Sequence, residues 1–482
     1  MRIPEEVITI LKALADAGFE AYVVGGSVRD LLLGKEPKDW DITTNAKPEQ
    51  IQELFPDSFY ENTFGTVGVK TESEAVGLEV VEVTTYRTET AYTDKRHPDS
   101  VSFTDSLEAD LARRDFTMNA IALGVDGATI DPFGGEDDIK AQIIRAVGDA
   151  NARFAEDALR MMRAVRLAAS LNFAIEEKTL SAIHANKNLL AHIAKERIGD
   201  EMLKLFESEY AHQGIELMRQ TELLAEVLPE VAAGIGVGQN KHHVYDVYEH
   251  NLYSLKWADE QKYPTRVKIA ALLHDVAKPQ AKRGEGPNST FYGHEVASAR
   301  MAAKICERLR FPKKLGEEVA LLVRSHMFYY DIGEVTEKSV RRLVAKVGPE
   351  RMDDLVKLRI CDRMGSGVPK PEPYRLRHFQ FMVEKVQKDP ITVGMLKVNG
   401  AHIMEALGIP AGPRVGHILA ALFEEVLDEP VKNTQEYLLK RASELNQMGD
   451  AELSALRVEA QERAKTVNEQ EAGKIKKKYY VE

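Results

Sequence analysis

Two aspartates separated by one residue, Asp39 and Asp41, form the pattern best suited to metal chemistry in this chain of 482 residues. Side chains two apart on a β-strand point to the same face, so a strand over DWDIT would place both carboxylates side by side. Carboxylates that close repel each other unless a cation lies between them. Mg²⁺ prefers such hard oxygen ligands and commonly binds substrate phosphates as well. The pair therefore predicts a Mg²⁺ site that acts on a phosphorylated substrate.

A glycine pair and a short helical pattern precede the two aspartates. Gly25 and Gly26 follow the apolar segment EAYVV, and the helical pattern SVRDLLLG comes next. Glycine lets backbone N–H groups approach a triphosphate closely, and a helix N-terminus carries partial positive charge. We expect the helix to begin at about Ser27, with Arg29 near the phosphates. The combination favours metal-assisted nucleotidyl transfer, in which ions activate a 3′-hydroxyl and stabilise the leaving pyrophosphate. The alternative is a plain strand-to-helix turn followed by solvated acids.

Charged residues also recur at helical spacing in the segment EDALRMMRAVR. Asp157, Arg160, Arg163 and Arg166 are three apart, so on a helix they would share one face. An aspartate accepts a hydrogen bond from the exocyclic amino group of cytosine or adenine, whereas uracil and guanine present a carbonyl there. Such a mismatch costs about 1–3 kcal/mol. The segment predicts a surface that selects these two bases; the alternative is an exposed charged helix face.

Histidines and aspartates able to bind a metal occur in order through the second half of the chain. Imidazole and carboxylate ligands together suit Zn²⁺, Ni²⁺, Mn²⁺ or Fe better than Mg²⁺. The residues are His250, His274, Asp275, His294, His326 and Asp362. Their order resembles the HD phosphohydrolase superfamily, in which the first histidine, the His-Asp pair and a distant aspartate bind a divalent metal that activates water. The two remaining histidines would permit a second metal, and the alternative is a retained fold without hydrolase activity.

Two kinds of structure must position these groups. Up to about Gly148, strand patterns such as TVGVKT and LEVVEVTTY alternate with helical patterns. From about Asn151 the strand signals fade, and apolar residues recur at helical spacing almost to the end. We therefore predict an α/β head followed by an all-α neck, body and tail. The predicted boundaries are 1–148, 149–236, 237–370, 371–465 and a basic extension at 466–482.

Composition excludes several classes of protein. Lys and Arg number 64 against 76 Asp and Glu, a net charge of −12, so the chain is not a polycation that coats nucleic acid. A modest basic strip exists at residues 351–389, with nine Lys and Arg against six Asp and Glu. Two cysteines, Cys306 and Cys361, exclude a disulfide framework. The chain shows neither signal-peptide features nor a membrane-spanning apolar run, so we expect a soluble, cytoplasmic protein with no membrane partner.

Four ordered motifs resemble those of the class II tRNA nucleotidyltransferases, the bacterial CCA-adding enzymes of the DNA polymerase β superfamily. They are GGSVRDLLLGKEPKDWDI, RRDFTMNA, DPFGG and EDALRMMRAVR, and they cover roughly the first 230 residues. The resemblance implies a polymerase β-like nucleotidyltransferase head joined to helical domains that include an HD domain. It also implies addition of C, C and A to the 3′ end of tRNA, from CTP and ATP, without a nucleic-acid template.

The same resemblance assigns roles to the residues named above. Asp39 and Asp41 become the ligands of the catalytic Mg²⁺ ions, and Glu82 is either a third catalytic carboxylate or an ordinary strand acid. The implied nucleotide-binding residues are Gly26 and Arg29 at the triphosphate, Arg114 at the nucleotide, Asp157 and Arg160 at the base, and Arg163 and Arg166 at the nucleotide or its phosphates.

Members of this family add CCA, CC, A or poly(A). Residues 86–98 resemble the flexible loop linked to A addition, and their full length argues against CC-only activity. The segment FPDSFYENTFGTVGV is acidic, unlike the basic segment of bacterial poly(A) polymerases. CCA addition is favoured over an A-adding enzyme or a poly(A) polymerase, and more distantly over an HD phosphohydrolase with an RNA-capturing head. The sequence leaves the oligomeric state open.

Overall fold

The computed structural model describes residues 3–60, 64–75, 77–90, 100–239, 244–328, 330–331, 335–368, 370–388, 396–428 and 432–449. It divides into two compact units. The first comprises Met1–His326 and Cys361–Val368, and the second comprises Met327–Ile360 and Pro369–Glu482. Across the described ranges, no helix combines the length and the apolar character needed to cross a bilayer.

The first part of the first unit alternates helices and strands, as the sequence predicts. In chain order the elements are α1 (Glu5–Asp16), β1 (Ala21–Val24), α2 (Gly26–Leu32), β2 (Asp41–Thr44), α3 (Pro48–Leu54), β3 (Ser58–Tyr60), β4 (Thr66–Lys70), β5 (Val80–Thr85), β6 (Arg87–Thr90), β7 (Ser100–Phe103), α4 (Leu107–Ala112), β8 (Ala122–Leu123), β9 (Thr129–Ile130), α5 (Gly135–Ala141) and β10 (Ile143–Ile144).

Seven of these strands form one sheet in the order β3-β4-β5-β2-β1-β8-β9. The central strand β2 pairs antiparallel with β1 and parallel with β5. The strands β6 and β7 form a separate antiparallel hairpin. The register places Asp41 between Val24 and Glu82. The head therefore presents its predicted metal ligand at the start of a central strand.

Apolar side chains on α1 hold this helix against the sheet. Val7, Ile10, Leu11 and Leu14 are three or four residues apart, and all four are buried. The helix packs on β1 and α3. Burial of each such side chain stabilises the fold by about 1.5–3 kcal/mol, which explains why this amphipathic pattern forms a docked helix.

The rest of the first unit is helical, as predicted, except for one short strand that pairs in parallel with β10. The elements are α6 (Ala150–Glu156), α7 (Leu159–Leu171), β11 (Ala174–Ile175), α8 (Glu177–Asn186), α9 (Lys195–Glu207), α10 (Ala211–Gln220), α11 (Leu223–Val227), α12 (Pro229–Ala232), α13 (Val247–Glu260), α14 (Thr265–Leu273), α15 (Lys278–Ala281), α16 (His294–Arg308) and α17 (Lys313–Ser325).

The second unit is also helical over its described residues. Its elements are α18 (Glu337–Val347), α19 (Met352–Gly365), α20 (Tyr374–Lys388), α21 (Gly400–Leu407), α22 (Pro413–Asp428) and α23 (Gln435–Leu445). The last turn of α19 belongs to the first unit and carries Asp362. The helices α21, α22 and α23 share an apolar core that includes Ile403, Ile418, Leu422 and Leu438.

Candidate active site and metal centre

The two aspartates of the head occupy different local structures. Asp41 is the first residue of β2, whereas Asp39 is exposed and lies in a bend before the strand. The prediction that DWDIT forms one strand is therefore wrong at its first two residues, because the chain straightens only at Asp41. Gly77 packs closely on this bend, since a Cβ there would lie 1.8 Å from the carbonyl oxygen of Lys38. The bend, rather than strand alternation, positions Asp39.

A third carboxylate lies beside Asp41 in the sheet. Glu82 on β5 is the direct parallel partner of Asp41, and residues paired in this way point to the same face. The Glu82 side chain is exposed. The register therefore brings an acid from β5 next to the acid on β2, a position suited to the third carboxylate that the sequence left undecided.

The glycine turn between β1 and α2 is shaped by the groups around it. Gly25 has φ +82°, a conformation that favours glycine. A Cβ on this residue would lie 3.2 Å from Oδ2 of Asp41 and 3.3 Å from Nη1 of Arg114. The helix α2 begins at Gly26, one residue before the predicted start. The backbone of Gly25, the carboxylate of Asp41 and the guanidinium of Arg114 thus lie close together at this turn.

A buried acid orients Arg114. Its Nη2 lies 3.6 Å from Oδ2 of Asp110, which is fully buried and also receives Nη2 of Arg113 at 2.9 Å. Burial alone would raise the pKa of Asp110, but the two arginines and a hydrogen bond from Thr43 outweigh it and lower this pKa. Nε of Arg114 is buried without a hydrogen-bond partner among the described residues. Part of this guanidinium thus keeps its hydrogen-bonding capacity.

A chain of hydrogen bonds joins α2 to α7. Arg29 donates through Nε and Nη2 to Asp30 and through Nη1 to Oδ1 of Asn119 at 2.9 Å. Asn119 donates in turn to Oδ1 of Asp115 at 3.1 Å. Arg163 completes the chain, with Nη2 2.6 Å from Oδ2 of Asp115. Despite burial, Arg163 and Asn119 hold the pKa of Asp115 well below its usual range.

The predicted base-selecting residues do not share one helix face. Asp157 ends α6 in an extended conformation and precedes α7, so the predicted continuous helix is wrong at this residue. Arg160, Arg163 and Arg166 lie on α7. Oδ1 of Asp157 accepts the backbone N–H of Leu159 at 3.0 Å, so this carboxylate caps the start of α7 instead of extending the helix.

Each member of this set has a different partner. Asp157 lies 2.8 Å from Nη2 of Arg197, and Arg160 lies 2.6 Å from Glu156. Arg166 pairs with the buried Glu201 at 2.9 Å. Sequence reasoning missed Arg197 and Glu201, which lie about 40 residues farther along the chain and carry no local signal. Asn119 and Asp115 lie inside the RRDFTMNA motif, which could have flagged them.

The six predicted histidines and aspartates of the helical part converge, all within the first unit. Nε2 of His250 lies 3.0 Å from Nε2 of His274 and 3.3 Å from Oδ2 of Asp275. Nε2 of His250 also lies 3.4 Å from Oδ1 of Asp362. Ligands about 2.1 Å from one ion lie roughly 3.0–3.4 Å apart in octahedral or tetrahedral geometry. His250, His274 and Asp275 therefore fit a single divalent ion, and Asp362 lies beside the two imidazoles, with Oδ1 3.8 Å from Nε2 of His274.

The other oxygen of Asp275 faces the two remaining histidines. Oδ1 lies 3.1 Å from Nε2 of His294 and 3.7 Å from Nε2 of His326. This oxygen is buried and accepts no hydrogen bond from any described residue. A buried carboxylate oxygen left in this state fits a second cation, because an unpaired buried polar atom is costly. Asp275 would then bridge two ions.

Helix ends fix the orientation of three of the imidazoles. His274 follows α14, His326 follows α17, and His294 begins α16. Nδ1 of each lies 2.7–2.9 Å from the carbonyl oxygen three residues earlier, at Ala271, Phe291 and Val323. An Nδ1–H that donates to such a carbonyl leaves Nε2 free to bind a metal. The helix ends thus aim these Nε2 atoms at the centre.

Two imidazoles of the cluster have pKa values shifted in opposite directions. Burial lowers the pKa of His274, but Asp275 and Asp362 outweigh this effect and raise it to about 10. Burial and the neighbouring His274 lower the pKa of His326 to about 3. Lys278, which sequence reasoning missed although it lies one turn after the His-Asp pair, places Nζ 2.5 Å from Oδ2 of Asp275. Asp275 therefore faces two cations, Lys278 and the protonated His274, a positive charge that a divalent ion could replace.

Some predictions fall outside the described residues. They are the loop residues at 91–98 and the basic extension at 466–482.

Comparison with known proteins places four family models along the chain. They are a poly(A) polymerase head domain over residues 21–145, an RNA- and SrmB-binding region of polymerase A over 172–235, an HD domain over 242–364, and a domain 2 of tRNA nucleotidyltransferase over 377–442. The CCA-adding enzyme of Geobacillus kaustophilus (strain HTA426) is 35% identical over 445 residues, covering 92% of this chain and 97% of that protein.

Two further similarities involve the same group of proteins. The CCA-adding enzyme of Lactobacillus helveticus (strain DPC 4571) is 48% identical over 228 residues, which are 47% of this chain. The crystal structure of the Bacillus stearothermophilus CCA-adding enzyme in complex with CTP is similar with a TM-score of 0.60 and 32% identity. That match covers 93% of this chain and 98% of that chain.

Proposed function

This chain belongs to the family of CCA-adding enzymes, the class II tRNA nucleotidyltransferases, and we propose that it adds C, C and A to the 3′ end of tRNA from CTP and ATP. The predicted family, the α/β head with helical domains, and enzymatic nucleotidyl transfer are thereby confirmed. The single observation that carries the proposal is the convergence of Asp41 and Arg114 on the turn at Gly25, with Glu82 paired beside Asp41 in the sheet.

The carboxylates at this turn fit Mg²⁺ by the chemistry of their donors. Asp39, Asp41 and Glu82 would supply hard oxygen ligands, and the exposure of Asp39 and Glu82 leaves room for phosphates and water. The ions, when bound, would activate the 3′-hydroxyl of the RNA and stabilise the charge on the leaving pyrophosphate. Gly25 leaves the turn open for a triphosphate, and Arg114 supplies a cation on its other side.

The base would be read next to the junction of α6 and α7. Asp157 accepts and Arg160 donates, which matches the amino group and adjacent acceptor that cytosine and adenine share. In this structure Asp157 forms an ion pair with Arg197, and Arg160 forms an ion pair with Glu156. We infer that the nucleotide exchanges with one or both of these ion pairs, so that selection is coupled to a local rearrangement. Arg163 and Arg166 would support the segment through Asp115 and Glu201.

The proposal is tested with purified protein, a tRNA that lacks its 3′ CCA, and Mg²⁺. CTP alone, ATP alone and both together are supplied, and products are resolved at single-nucleotide length. Two additions with CTP and a third only with ATP support CCA addition. Addition of A only to a CC-ended tRNA would make the chain an A-adding enzyme, and long A tracts would make it a poly(A) polymerase. Absence of every product would refute nucleotidyl transfer by this chain. A location in the cytoplasm stays a prediction.

A second function is favoured by the buried histidine–aspartate cluster. We propose that His250, His274, Asp275 and Asp362 hold a divalent transition metal, and that His294 and His326 help to hold a second. The ligand separations of 3.0–3.4 Å support the first ion. Such a metal, when bound, lowers the pKa of water for attack on a phosphate ester. Metal analysis of the purified protein together with hydrolysis of a generic phosphate monoester and of a 2′,3′-cyclic phosphodiester tests this proposal.

A further inference from the structure

A small groove lined almost wholly by cations lies in the first unit, between the start of α9 and the end of α16. It has a volume of about 300 Å³, and its lining residues are Lys195, Lys304, Glu307, Arg308 and Arg310. Four of these five side chains are cationic, in a chain whose net charge is −12. Such a local positive potential on a negatively charged protein attracts a polyanion to this place on the surface.

Three of the four cations are available to a ligand. Arg308 is already used, because it donates to both carboxylate oxygens of Glu230 and to the carbonyl oxygen of Val227. Among the described residues, Lys195, Lys304 and Arg310 form no ion pair with any acid. Glu307 is the one acid in the lining. The groove thus presents three cations against one carboxylate.

The backbone of Arg310 permits a substitution that removes its charge without strain. Arg310 follows α16 with φ +56°, in the left-handed region where glycine is preferred. The N–H of Phe311 donates to the carbonyl oxygen of Cys306 at 2.9 Å, which closes the helix end. A residue with a Cβ costs about 1 kcal/mol here relative to glycine. Arg310 thus occupies a position whose backbone conformation favours glycine.

A close backbone approach brings the two sides of the groove together. A Cβ on Gly199 would lie 1.9 Å from the carbonyl oxygen of Leu309, so α9 rests directly on the turn that carries Arg310. Lys195 begins the same helix. Two residues later, Arg197 pairs with Asp157. Because positions 195 and 197 lie on different faces of α9, the groove and the segment proposed to read the incoming base lie on different sides of this helix, a helix diameter of about 10–12 Å apart.

We propose that this groove binds the sugar-phosphate backbone of the RNA substrate near its growing 3′ end. The inference rests on the proposed function, because it names the surface that holds that substrate. The groove is lined by charged side chains alone, without an aromatic ring for a base to stack on. Such a lining recognises phosphate charge and contributes affinity without sequence preference.

Arg310→Gly and Lys304→Ala test the proposal in the full-length protein. Arg310→Gly removes the charge and relieves the left-handed backbone, so the thermal midpoint should stay unchanged or rise. Lys262→Gly is the matched control, because Lys262 is also left-handed, with φ +53°, and its Nζ lies 2.7 Å from Glu209 outside the groove. Each variant is measured for tRNA affinity at about 50 and 200 mM salt, and for KM and kcat with tRNA and with CTP.

The expected result separates the groove variants from the control. Arg310→Gly and Lys304→Ala should each weaken tRNA binding by roughly 3- to 10-fold and reduce the salt dependence by about one charge. The KM for tRNA should rise, while the KM for CTP and kcat at saturating tRNA stay near the wild-type values. Lys262→Gly should bind tRNA like the wild type.

Two results would overturn the inference. Wild-type affinity and salt dependence in both groove variants would show that RNA does not contact the groove, even though the wild-type enzyme extends tRNA. An equal loss in Lys262→Gly would show a general charge effect. Failure of the wild-type protein to extend any tRNA would count against the proposed function instead, so the two failures are distinguishable.

Discussion

The head site and the histidine–aspartate cluster bring acids together by opposite means. In the head, Asp39 and Glu82 are exposed, and the charges nearby are balanced by residues from other elements. In the helical cluster, the six residues are at most 8% exposed, and their charges balance one another. The head site is open, which suits a metal that arrives and leaves with a nucleotide. The cluster is closed, which suits a resident ion.

Loss of one carboxylate in the open site should give the largest effect on catalysis. Asp41→Asn keeps the shape of the side chain but removes the charge between Gly25 and Glu82. We expect incorporation of CTP and ATP to fall by about 10³-fold or more, about 4 kcal/mol of transition-state stabilisation. Single-turnover extension of tRNA measures this, while the metal content of the closed cluster should be unchanged. Retention of more than a tenth of the rate would contradict the role of Asp41.

Loss of one carboxylate in the closed site should instead reduce stability and metal binding. Asp275→Ala leaves Lys278 and the histidines without the acid that they share. Removal of one partner from a buried charge pair costs about 3–5 kcal/mol. We expect a lower free energy of unfolding and loss of bound metal, with CTP incorporation by the folded fraction largely retained. Urea unfolding and elemental analysis measure these quantities. A variant as stable and as metal-rich as the wild type would contradict this interpretation.

A smaller effect should arise from the hydrogen-bonded chain between α2 and α7. Asn119→Ala removes the link from Arg29 to Asp115, two hydrogen bonds to charged groups. Because Arg29 loses a positioning partner and Asp115, which holds Arg163, loses a hydrogen bond, we expect kcat/KM for CTP to fall roughly 10- to 100-fold. Asn186→Ala is the control, since Asn186 also makes two hydrogen bonds, to Asn151 and Ala182, away from the site.

The kinetic pattern distinguishes positioning from folding. Asn119→Ala should change KM for CTP or selection against UTP in protein that unfolds at nearly the wild-type temperature. A variant that loses only thermal stability, with wild-type kinetics below its midpoint, would assign Asn119 a structural role.

The smallest predicted effect is a change in the free energy of unfolding at acidic pH. The pKa of the buried Asp110 is lowered in the fold by Arg113 and Arg114 despite burial. The Asp110 carboxylate therefore contributes its full stabilisation above about pH 3.9, the pKa of an aspartate in the unfolded chain. This stabilisation is lost as the pH falls lower. Between pH 6 and pH 3, the wild type should lose more unfolding free energy than Asp110→Asn. Parallel pH profiles for the two proteins would contradict this assignment.

Local patterns predicted most elements of the fold. The alternation of strands and helices in the head, the amphipathic α1 and the order of the six metal-ligand candidates are all legible along the chain, because periodicity and residue type act over a few neighbours. Asp157 is the instructive exception. Its spacing from Arg160 fits a helix, but its side chain caps α7 instead.

The partners of these residues were decided by tertiary packing. Nothing near Asp157 indicates Arg197, nothing near Arg166 indicates Glu201, and the groove at Arg310 exists because Gly199 lets two distant segments touch. The sequence by itself determined which residues can hold a metal, a phosphate or a base, since that is a property of side chains and local spacing. Only the tertiary structure decided which of them meet, because contacts across tens of residues depend on how buried surfaces pack.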